Sequence, residues 1–177
     1  ETFSGQRSVF SPAETQPRWI KVFPPIENPL WVYGTNEKLI AFDGNHNDIT
    51  RISGAYAGES QERWQGEILN GVGIFNNTVD VPQYWADFDA SLLLVDLPNW
   101  PSTLRTKFLR PHKNFLFAGH TSESGIPRPF RLRWSDAAVP GTYPSSWDIG
   151  DPTKLAGEID IAETTDYIVD GTTLGEV

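Results

Sequence analysis

Two short strand-like runs, Glu67–Leu69 and Val72–Phe75, are separated by nothing but Asn70 and Gly71. A two-residue link of that composition closes an antiparallel hairpin, because both central residues of the tight turn need positive φ, and Asn and Gly tolerate it best. Strand, then, is the expected state on both sides. The pattern recurs along the chain. Leu39–Phe42 and Ile49–Ile52 flank a polar turn at 43–48, and Ser91–Val95, Leu104–Leu109, Phe115–Ala118 and Phe130–Trp134 follow between loops rich in Pro, Gly and Ser. No stretch of useful length carries the helical period. The expected fold class is all-β, built from short antiparallel strands with long loops.

Two stretches, Trp64–Trp85 and Arg131–Asp148, each read as strand, loop and tryptophan. Such units suggest propeller-like blades, although their period is not strict. In Arg131–Trp134 the arginines alternate with Leu132 and Trp134, which places charge on one face of a strand and apolar bulk on the other. Residues 1–30 hold Pro12, Pro17, Pro24, Pro25 and Pro29. They are expected to be an extended or looped segment that packs through Trp19, Ile20, Val22 and Phe23. Residues 31–177 form the β-rich, propeller-like region. With no methionine anywhere, the chain reads as a piece of a longer polypeptide, its blades incomplete here and continued beyond the given residues.

At 177 residues the chain has the size of one domain with a real core. It contains no cysteine, so disulfides and thiolate metal sites are excluded. No run approaches the roughly 18 apolar residues of a membrane-spanning helix. The net charge of −9 is unevenly spread. Eight acids lie in 148–177 against the single base Lys154, whereas seven bases lie between Arg105 and Arg133. An acidic surface repels phosphate, which argues against tight DNA binding and leaves open a surface that DNA slides past.

Candidate chemistry is sparse. Asp43–Asp48 alternates oxygen ligands as a calcium loop does, but Asp48 stands where that loop needs Gly and Gly54 where it needs Glu. A hairpin turn explains the same residues. Glu158, Asp160 and Glu163 are the best candidates for the paired carboxylates of a glycoside hydrolase, yet their polar setting suits a solvated or partner-facing surface. His46, His112 and His120 lack nucleophile or metal partners nearby in sequence. Arg105, Lys107, Arg110, His112 and Lys113, with Phe108 and Phe115 among them, could bind single-stranded nucleic acid, but a patch that pairs with an acidic neighbour is preferred. Asn76-Asn77-Thr78 matches a glycosylation sequon. Trp64, Trp85, Trp134 and Trp147 are expected to be core or loop anchors. No catalytic, cofactor-binding or metal residue is therefore assigned, and no cofactor is expected.

One combination is more specific than its parts: Asn70-Gly71-Val72, Phe75-Asn76-Asn77, Val79-Asp80 with Pro82, Tyr84 and Trp85, Arg133-Trp134-Ser135-Asp136, and Ser146-Trp147-Asp148. Over residues 60–177, continued by Asp151–Gly157 and Ile168–Gly171, the chain resembles the tail nozzle proteins of short-tailed bacteriophages, also called tail tubular protein B. Gly73 departs from an expected proline and Thr78 from an expected glycine. The resemblance implies a β-propeller core with added β-domains and a structural, non-enzymatic role in the virion tail. It also implies a ring of six copies that contacts adaptor and fibre proteins and passes double-stranded DNA without reading its sequence. From another class, the alternative is a tail-associated glycan-binding or glycan-cleaving β-domain. A cellular propeller scaffold would instead show strict repeats of about 40 residues, which are not seen.

Overall fold

The computed structural model describes residues 13, 15–24, 29–58, 64–161 and 166–172. Among these there is no helix. The strands are β1 (Trp19–Phe23), β2 (Leu30–Gly34), β3 (Leu39–Phe42), β4 (His46–Asp48), β5 (Gln65–Leu69), β6 (Val72–Asn76), β7 (Gln83–Trp85), β8 (Val95–Asp96), β9 (Leu104–His112), β10 (Phe115–Glu123), β11 (Ile126–Trp134) and β12 (Gly157–Asp160). They form three four-stranded antiparallel sheets, β1–β4, β5–β8 and β9–β12, each a meander in which strands pair in sequence order.

The expected hairpin is present in the expected register, with Leu69 opposite Val72 and Gln65 opposite Asn76. Asn70 and Gly71 hold φ at 50° and 92°, the left-handed pair that a right-twisted hairpin requires. Elsewhere the boundaries shift. After Phe42 the chain turns through Asp43–Asn45, so the polar His46–Asp48, not Ile49–Ile52, forms the edge strand. Ile49 is fully buried beside that edge, its N–H bonded to Leu39 O and its carbonyl to Leu94 N. Of Ser91–Val95 only Val95 joins a strand, while Leu92 and Leu93 remain exposed. In the first thirty residues, Phe23 is buried as expected, but Ile20 and Val22 face outward on β1.

Packing is organised by the second sheet. On β6 every residue is buried. Phe75 joins Phe23, Leu30, Val32 and Leu39 of the first sheet in one core cluster, whereas Val72 and Ile74 join Leu104, Leu109, Leu116 and Ala118 of the third in another. The alternation of side chains along a strand thus lets one strand serve two cores. At Gly66 on β5 a Cβ would lie 2.6 Å from the Trp19 ring, so the missing side chain is what lets the first sheet approach.

Candidate functional site

The first strands of the three sheets, β1, β5 and β9, are each an edge strand of their sheet and are joined by charge. Lys21 Nζ donates to Glu67 Oε2 at 2.9 Å. Glu67 Oε1 accepts from Arg110 at 3.2 Å, and Arg110 reaches on to Asp170 at 2.8 Å. The signs alternate along this row, which links all three sheets and the segment after β12. Amide groups reinforce the seam between the second and third sheets. Gln65 Nε2 donates to Lys107 O and its Oε1 accepts from Leu109 N, while the buried Asn76 donates to Thr106 O at 3.1 Å.

Two carboxylates order the loops. Asp80 accepts from Arg51, Ala57 N and Asn77, which ties the loop after β4 to the loop after β6. Burial alone would raise its carboxyl, but the hydrogen bonds from Asn77, Ala57 and Arg51 outweigh that and hold it below the usual carboxylate range. Asp136 accepts from Ser145, from Leu155 N and from Lys154. The Ser145 hydrogen bond leads in bringing its carboxyl down to about 2. Both residues belong to the motif combination read from the sequence, and both act as anchors.

The remaining candidates fall apart as a site. Asp43 is a turn residue that accepts from Asn45 N and Asn47 Nδ2, and Asp48 pairs with Lys38. Among the described residues no group of three or more His, Asp or Glu side chains is placed to hold a metal. Glu158 and Asp160 sit on β12 opposite Arg133 and Arg131. Arg131 bonds both, at 2.8 Å and 2.7 Å, and its hydrogen bond keeps Asp160 below its ordinary range, the reverse of what a general acid needs. Glu163 lies outside the described residues. The three histidines are dispersed: His46 meets Tyr33 Oη and the Phe42 ring, His112 the Phe117 ring, and His120 the carbonyl of Ile168.

Of the basic stretch, Arg110 pairs with acids, and Arg105 donates to the carbonyls of Val79, Ser102 and Leu104. Asn76, the sequon asparagine, is buried with its amide nitrogen engaged. Trp64, Trp85 and Trp147 are buried anchors, as read, and Trp134 is half-buried with its N–H on Leu155 O. On β11 the roles of the two faces are inverted. Arg133 is the buried residue, held by Trp147 O, and Leu132 and Trp134 are half-exposed beside Phe117.

Sequence reasoning missed Trp31 on β2, 46% exposed on the outer face of the first sheet. It also missed a cavity of about 500 Å³ on the outer face of the third, lined by Phe108, Phe117, Leu132, Ile161 and Ile168. Strand alternation could have flagged Trp31 opposite Val22; the cavity depends on a loop crossing that has no local signal. No protein-family model and no curated protein matches the chain.

Proposed function

We propose that this chain is a structural segment of a short-tailed phage tail nozzle, its three sheets acting as consecutive blades of a propeller. In this reading copies of the subunit form a ring, a hexamer, in the virion tail. The ring contacts adaptor and fibre proteins and conducts double-stranded DNA during ejection without sequence-specific binding. The observation that carries it is the architecture of three consecutive four-stranded meanders that share two cores through the second sheet, because consecutive blades of a propeller are four-stranded meanders packed in this way. The motif residues behind the resemblance support it as well, since Asp80, Trp85, Asp136 and Trp147 hold sheets and loops together.

Net acidity suits a conduit, because a repulsive wall lets phosphate pass where a basic one would bind it. Glu158 and Asp160 are poor choices for that wall. Their charge is matched by Arg131 and Arg133, and β12 is the strand farthest from β9 in its sheet. Stacking on a sugar, which the glycan reading needs, is closed to the buried Trp64, Trp85 and Trp147 and left to Trp31 and the half-buried Trp134. Electron microscopy of the chain co-expressed with candidate tail proteins tests the proposal, with ring-shaped particles expected. Shortening of host polysaccharide by the purified protein would move the assignment to the glycan class.

A further inference from the structure

The third sheet uses only one face to pack on the second; its other face carries Phe108, Phe117 and Leu132, and segment 166–172 runs across it. This crossing is not a strand. Ile168 N donates to Pro129 O at 3.1 Å, His120 donates to Ile168 O, and Arg110 donates to Gly171 O and Asp170. Tyr167 lies against the Phe130 and His120 rings, and Gly171 lies over Phe108. The fit is loose. Tyr167 and Val169 are 62% and 77% exposed, and the cavity of about 500 Å³ lies at the same face.

We propose that segment 166–172 is a releasable strap over an apolar sheet face, with the Arg110–Asp170 pair as its latch. Tyr167 and Val169 bury little side-chain surface, so the strap opens below the free energy of global unfolding. Asp170 is 55% exposed, which leaves its ion pair screened and weak. Arg110 also holds Glu67, so opening the latch leaves the seam to the second sheet closed. Released, the third sheet presents Phe108, Phe117, Leu132 and Ile161 to solvent, an apolar face of the kind the second sheet offers to both neighbours.

Hydrogen exchange on the whole chain tests it. The Ile168 amide is expected to exchange at least about tenfold faster than that of Leu116, which lies in the core on the other face. Asp170→Asn is expected to speed the strap about two- to fivefold and leave Leu116 unchanged. Gly171→Ala, whose Cβ would lie 3.2 Å from Phe108, provides a second route to opening. Both variants are expected to raise the fluorescence of 1-anilinonaphthalene-8-sulfonate. Exchange of Ile168 as slow as that of Leu116, or equal acceleration of both by Asp170→Asn, would overturn the proposal.

Discussion

Thr78 holds φ at 72°, a conformation in which a β-branched side chain is strained. This is one of the two positions where the sequence departs from the tail nozzle pattern, and the expected glycine would relieve the strain. Thr78→Gly is expected to stabilise the fold by up to about 1 kcal/mol, a rise of roughly 2–4 °C in melting temperature by calorimetry. Asp136 sets a pH dependence of a definite sign. Its folded-state pKa of about 2 lies below its ordinary value of 3.8, so its contribution is fully present above about pH 4 and is lost as pH falls toward 2. Asp136→Asn is expected to lower stability at pH 7 and to flatten the loss between pH 4 and 2 in urea titrations at each pH. Asp80 and Arg51 are both largely buried, at 13% and 14% side-chain exposure. Removing the carboxylate with Asp80→Ala takes away the nearer acid of Arg51, leaving Asp96 at 3.6 Å, and also the acceptor of Ala57 N and Asn77; it is expected to cost about 2 kcal/mol, read as a lower urea midpoint.

At the scale of the element, β6 makes the strictest demand. Gly73 pairs with Ile68 on one side and Trp85 on the other, so the proline that the tail nozzle pattern favours would remove a ladder donor inside a sheet. Gly73→Pro is expected to destabilise by about 3 kcal/mol or more and to increase exchange across β5–β7. Strands whose signal is local were legible in the sequence. The Asn70-Gly71 hairpin and the cores of β3, β9, β10 and β11 follow from turn chemistry and apolar runs. Where polar edge strands or irregular buried loops occur, that signal fails. His46–Asp48 looked like a turn because its residues favour turns, and Ile49 looked like a strand residue because burial, not pairing, explains it. The charge chemistry was half legible. Acid and base were seen to be segregated, but the pairing of Arg131 with Glu158 and Asp160 depends on β12 folding back along β11, a register no local residue announces.

For the whole molecule, the three sheets share two cores through one strand, and the parts are expected to unfold together. Phe75→Ala in the first core and Ile74→Ala in the second should each cost about 3–4 kcal/mol. Both should shift one common urea transition without changing its slope, followed by tryptophan fluorescence and far-ultraviolet circular dichroism. Separate transitions would mean that the sheets are independent. Outer faces differ in kind. The first sheet leaves Ile20, Val22 and Trp31 partly bare, whereas the third is crossed by residues 166–172.

Full burial of Val72–Asn76 also makes the hairpin a proofreading step. A slip of one residue along β5 would turn Phe75 toward Leu109 and Leu116 and send Ile74 toward Trp85, spoiling both cores at once. A misregistered chain therefore has no half-correct state in which to rest, and the two-residue turn at Asn70 and Gly71 holds the pairing by its own geometry.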